Sequence, residues 1–100
     1  MLIVNKNEEG SKLTLSLEGR LDMLTTDILE NALDGALDQV EELVMDLKDL
    51  EYISSAGLRI FLKAEQAVEQ KNGTMKIINL SDDVHEIFEI TGFADVFTIE

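Results

Sequence analysis

The chain of 100 residues sets 8 Lys plus Arg against 21 Asp plus Glu, a formal net charge of −13, with 45% hydrophobic residues and no Pro, Cys or Trp. That length fits one domain over residues 1–100, large enough to bury roughly 60 to 68% of its unfolded surface in a core without covalent staples. Lack of cysteine excludes disulfides, thiolate metal sites and thiol nucleophiles, and no apolar run approaches the ~18 residues of a membrane span. The start, Met1 to Gly10, has no basic-then-apolar leader pattern, and the negative charge repels nucleic-acid phosphates and anionic lipid, so a soluble, cytoplasmic protein with neither as a direct partner is expected.

Leu2 to Lys6 and Lys12 to Glu18 read as two strands around the loop Asn7-Glu8-Glu9-Gly10-Ser11, the second with Leu13, Leu15 and Leu17 on one face and Thr14, Ser16 and Glu18 on the other. From Thr25 to Val40, apolar residues recur at three and four (Ile28, Leu29, Ala32, Leu33, Ala36, Leu37, Val40), which predicts one amphipathic helix capped by Thr25 or Thr26. Leu43 to Leu47 is a nearly continuous apolar run, as for a central strand covered on both faces. A second helical pattern runs from the turn Tyr52-Ile53-Ser54-Ser55-Ala56-Gly57-Leu58 to about Lys71, where Asn72-Gly73 stops it. Thr74 to Asn79 is a strand, Ser81 starts a helix that Gly92 ends, and Val96 to Ile99 is a last strand. The order β-β-α-β-α-β-α-β predicts an α/β fold: a mixed sheet with an antiparallel N-terminal hairpin, parallel central strands, and helices packed against it.

Little in this chain suits catalysis. The one histidine, His85, cannot build a His-based metal site alone, no acidic stretch has the EF-hand spacing, and no glycine-rich phosphate loop occurs. A serine hydrolase would need Ser55 within reach of His85, from a different helix. No cofactor, metal or catalytic residue is expected. The turn before the second helix is the distinctive feature. One of Ser54 and Ser55 has a sufficient role as helix cap, worth about 1 kcal/mol. The other hydroxyl is spare and lies where orphan N–H groups and the positive end of the helix dipole point outward, a position that tolerates an added phosphoryl group. Arg59, one turn on, is the nearby cation that could reach it.

Three stretches carry a family likeness: Gly19-Arg20-Leu21-Asp22; Met45 to Leu58, ending Tyr52-Ile53-Ser54-Ser55-Ala56-Gly57-Leu58; and Ile87 to Phe97 around Thr91-Gly92-Phe93. The sequence resembles the anti-anti-sigma factors of the STAS domain family, small bacterial phosphoswitch proteins, over nearly the whole chain. The resemblance implies that the serine two places before Gly57, Ser55, is the phosphorylated residue, with Ser54 second choice. Ser54 stands where the family commonly has Asp, a departure that bears on kinase recognition rather than on fold. The resemblance further implies an anti-sigma factor antagonist: the unmodified protein binds a GHKL-type anti-sigma factor serine kinase, phosphorylation switches binding off, and a PP2C-type phosphatase reverses it. The partner-binding set is then Asp22, Ser54, Ser55, Ala56, Gly57, Leu58 and Arg59. Two other readings keep the fold but change the output: a partner switch without a sigma factor, or a module binding a small ligand such as a nucleotide or anion.

Overall fold

The computed structural model describes residues 1–100. Its first hairpin joins β1 (Leu2–Glu9) to β2 (Lys12–Leu21), with Gly10 in the left-handed region at φ 61° between them. Strand β1 outruns the expected one because Asn7, Glu8 and Glu9 stay in register with Thr14, Leu13 and Lys12, and β2 runs past Glu18 through Gly19, opposite Leu2, to Leu21. Then follow α1 (Thr26–Leu33), β3 (Glu42–Ile53), α2 (Ser55–Glu69), β4 (Thr74–Ile78), α3 (Asp82–Ile90), a short 3-10 turn (Phe93–Asp95) and β5 (Thr98–Ile99). The five strands lie in the order β1-β2-β3-β4-β5, antiparallel between β1 and β2 and parallel elsewhere.

One core joins Leu13, Leu15 and Leu17 of β2 and Leu43, Met45 and Leu47 of β3 to Leu29 of α1, Leu58, Phe61 and Val68 of α2, and Phe88 of α3. These strand residues share one parity, so all three helices contribute to the same sheet face. The sequence reading has Leu43 to Leu47 covered on both faces; the helices cover only one. Val44, of opposite parity, is 2% exposed but stands outside that core. Its register neighbours are Thr14 and Lys76, and the Lys76 ammonium reaches Glu42 at 3.5 Å and Glu100 at 3.6 Å across this polar face.

Three other elements differ from the sequence reading. Helix α1 ends at Leu33 rather than near Val40: Asp34 turns extended (φ −62°, ψ 118°) and Gly35 takes φ 72°. Leu37 and Val40 nevertheless remain buried, because a series of turns replaces the helix and the Lys71 ammonium donates to the Leu37 carbonyl at 3.3 Å. Strand β3 continues to Ile53, six residues past Leu47, with register shifts against β2 between Ser16 and Glu18 and between Gly19 and Arg20. Each shift adds a residue to β3 and resets its alternation, so Leu50 and Ile53 return to the core at intervals of three. Strand β5 is only Thr98–Ile99, because the Phe97 ring turns into the core, edge-on to Phe61 and Phe88 at 6.3 and 6.0 Å and stacked on Phe93 at 5.9 Å.

Strand β4 pairs with β3 only from Glu42 to Asp46, so beyond that point β3 runs beside β2 alone. The joint extension of β2 and β3 ends at Leu21 and Ile53, and the two loops that follow, into α1 and α2, start side by side.

Candidate functional site

Ile53 is fully buried, so the chain leaving β3 is anchored before it reaches the serines. Ser54 is extended (φ −91°, ψ 170°) and caps α2: its hydroxyl oxygen accepts from the Gly57 N–H at 3.3 Å and its carbonyl from the Leu58 N–H at 3.0 Å. Ser54 also donates its own N–H to the Leu21 carbonyl at 2.8 Å, which ties the start of α2 to the end of β2. Ser55 is the first residue of α2 and exposed, and its hydroxyl makes no hydrogen bond within the chain. The choice the sequence left open is thus resolved: Ser54 is the cap and Ser55 is spare.

Within the expected set, Gly57 and Leu58 are buried and hold the turn, whereas Ser54 and Ala56 are half-buried and Ser55 and Arg59 exposed. Gly57 is needed for space: a Cβ there would lie 2.7 Å from Leu21 Cγ, 2.8 Å from Leu21 Cδ2 and 3.1 Å from Ile53 Cγ1. Arg59 follows Ser55 by one helical turn and makes no ion pair. The other arginine near this end of the sheet, Arg20, lies over the Tyr52 ring, its guanidinium carbon 4.6 Å from the centroid.

The loop from β2 to α1 is braced as tightly. Thr25 occupies the residue before α1, but its hydroxyl makes no cap bond to the helix. It turns back instead: Thr25 Oγ1 donates to the Arg20 carbonyl at 2.9 Å and accepts from the Asp22 N–H at 3.0 Å, in a side chain only 8% exposed. Of the two expected caps, Thr25 holds the position without the side-chain bond and Thr26 is already the first residue of the helix. Asp22 is half-buried, and its Oδ1 accepts from the Leu24 N–H at 3.0 Å, so this carboxylate shapes the loop and keeps an outward face. Between these two braces, Met23 is 79% and Leu24 88% exposed. Sequence reasoning missed this pair, although two large apolar residues outside both the strand alternation and the helical stripe were the available signal.

His85 lies on α3, with Nδ1 2.9 Å from Glu89 Oε1, and no hydrogen bond joins it to Ser55. The structure thus supplies no base beside the serine, and the geometry for a serine nucleophile is not assembled. No cluster of His, Asp and Glu gathers as a metal site would require. No helix is long and apolar enough to cross a membrane. What the site offers is an exposed hydroxyl on a helix start, next to a rigid loop with an acidic and an apolar face.

The STAS domain family model matches residues 3–100. The anti-sigma-B factor antagonist of Bacillus subtilis is 30% identical over 96 residues, covering 96% of this chain and 88% of that protein. In fold, the chain is similar to an anti-sigma factor antagonist from Mycobacterium paratuberculosis (TM-score 0.86, 22% identity, covering 99% of this chain and 85% of that one). It is also similar to the Bacillus cell fate determinant SpoIIAA in the phosphorylated form (TM-score 0.75, 16% identity, covering 98% and 91%). With a family match over nearly its whole length and a mixed five-stranded sheet of the same architecture, the chain belongs to the STAS domain family.

Proposed function

We infer that the protein is a cytoplasmic anti-sigma factor antagonist that works by partner switching. With Ser55 unmodified it binds an anti-sigma factor, which is itself a GHKL-type serine kinase, and a sigma factor is released. The kinase transfers the γ-phosphoryl group of its ATP to Ser55 Oγ, the complex dissociates, and a PP2C-type phosphatase hydrolyses the phosphoserine to restore binding. The antagonist catalyses nothing.

The observation that carries this reading is the division of labour between the serines: Ser54 is occupied as the cap, and Ser55 is exposed with a free hydroxyl on the first turn of α2. A phosphoryl group there meets the positive end of the helix and leaves the core untouched. Asp22, Ser54, Ser55, Ala56 and Arg59 are the residues of this surface with accessible faces, and Gly57 and Leu58 set its shape. The relatives' names, antagonists of anti-sigma factors, and the phosphorylated state of SpoIIAA support the same reading.

Intact-mass and peptide mass spectrometry of the protein recovered from its native cells tests it. A phosphoryl group on Ser55, between Tyr52 and Arg59, is expected; phosphate on Ser54 alone moves the switch by one residue, and none under any growth condition removes it. Ser55→Asp should keep the fold and weaken kinase binding, while Ser55→Ala should bind without interruption.

A further inference from the structure

We propose that Met23 and Leu24 are the apolar anchor of the partner interface, seated in an apolar pocket of the anti-sigma factor that carries a cationic rim. This rests on the antagonist reading and adds to it the part of the surface that supplies affinity, as distinct from the serine that switches it. Large apolar side chains at 79% and 88% exposure are costly to leave in water, and Ile28, on the first turn of α1, is also 41% exposed. A flexible loop would lose much of the gain on ordering, but this one is already fixed. Thr25 Oγ1 bridges the Arg20 carbonyl and the Asp22 N–H, and Asp22 Oδ1 holds the Leu24 N–H. The backbone that carries the pair is therefore braced before any partner arrives.

Position and charge select the occupant. Leu21, two residues before Met23, receives the Ser54 N–H on its carbonyl at 2.8 Å and packs where a Gly57 Cβ would sit, so the loop that carries the apolar pair and the turn that carries Ser55 are tied together through Leu21. Asp22 and Asp27 flank the pair on either side in sequence, and the chain carries a net charge of −13. A second copy of the chain, equally acidic, would be repelled, and so would an anionic membrane. A partner with basic groups around an apolar pocket fits both features, and a phosphoryl group on Ser55 would then fall inside the contact the anchor has made.

The test titrates the purified full-length chain with each GHKL-type anti-sigma factor kinase encoded in the same genome, by calorimetry, comparing wild type with Met23→Ser, Leu24→Ser, the double variant and Ser55→Asp. Since both side chains are exposed, all variants should melt within a degree or two of wild type. Each single serine should weaken binding roughly tenfold to a hundredfold, the loss expected for withdrawing one buried Met or Leu. Double-variant binding within twofold of wild type, with Ser55→Asp binding lost, would overturn the anchor and leave the switch standing. If the wild-type chain bound none of the kinases, the antagonist reading would fall and the anchor with it. Light scattering on the same samples gives the remaining alternative: a wild-type dimer that the double variant turns into a monomer assigns the pair to self-association and overturns the proposal.

Discussion

Substituting Gly57 by Ala tests how the two loops of the site are held together. Gly57 has no positive φ that a side chain would strain, so the outcome depends on space alone. The added Cβ would stand 2.7 and 2.8 Å from Leu21 Cγ and Cδ2 and 3.1 Å from Ile53 Cγ1, distances below or at the margin of real contacts. Both neighbours are 0% exposed and have no room to swing away. Forcing a methyl group to 2.7 Å from a packed side chain falls in the upper part of the overpacking range, about 2 to 3 kcal/mol, and replacing Gly by Ala in a helix returns about 1 kcal/mol, so Gly57→Ala should destabilise the chain by about 1 to 2 kcal/mol. Urea unfolding should show the midpoint falling at constant slope, with a melting temperature lower by roughly 5 to 15 °C. If the cause is Leu21, truncating it should relieve part of the strain, so Gly57→Ala with Leu21→Ala should cost less than the sum of the single changes, by about 0.5 kcal/mol or more. A Gly57→Ala chain as stable as wild type, or strictly additive effects in the pair, would refute the reasoning.

The serines should separate in stability as they do in geometry: Ser54→Ala loses the cap bond and should cost about 1 kcal/mol, whereas Ser55→Ala should be near neutral, both read by urea unfolding. Thr25→Val removes an acceptor from the Asp22 N–H and a donor from the Arg20 carbonyl at a buried position. It should destabilise by about 1 to 3 kcal/mol and raise hydrogen exchange at Asp22. Glu65 has its carboxyl pushed above the usual 4.5 by burial and then by the neighbouring Glu69 charge. A raised folded-state value means the native state holds this proton more tightly than the unfolded chain, so Glu65 costs stability once pH rises through and above 4.5. Glu65→Gln should therefore be the more stable chain at neutral pH, and its advantage should shrink as pH falls below that value; an advantage that grew on acidification would contradict the assignment.

Elements with a clean period were legible from the residues alone. The alternation of Leu13, Leu15 and Leu17 gives the inner face of β2, and Ser81 before Asp82-Asp83 gives the start of α3, where its hydroxyl accepts from the Val84 N–H at 3.2 Å. Misreadings arose where backbone geometry changed while burial continued. Leu37 and Val40 keep the helical spacing of α1 after Gly35 has ended the helix, because the turns that replace it still direct them inward. Leu50 and Ile53 look like a broken pattern because two bulges add residues to β3 without moving its core face. The pattern allows Thr25 or Thr26 as the cap of α1, yet the Thr25 hydroxyl faces backward to Arg20 and Asp22; nothing in a single sequence states which way a hydroxyl turns. At the site, the serine pair was visible from its place between strand and helix, and the exposure of Met23 and Leu24 required the fold.

The proposed switch needs no movement of this fold, and charge arithmetic indicates why contact must do the discriminating. A phosphoserine adds about 1.5 to 2 negative charges to a chain that already carries −13, so the overall field grows by only about a seventh and is screened beyond about 8 Å at physiological salt. The long-range field felt by the partner therefore changes little between the two states. Within an interface the balance differs, since α2 favours the phosphate by about 0.3 to 1 kcal/mol in the free protein, and burying it against a partner without a matched cation costs several. Each 1.4 kcal/mol is a tenfold loss of affinity, so desolvation of one phosphoryl group suffices to release the partner. A rigid frame suits this mechanism: Ser54 bonded to Leu21, and Thr25 bonded to Arg20 and Asp22, leave the surface no cheap rearrangement by which to hide the new charge.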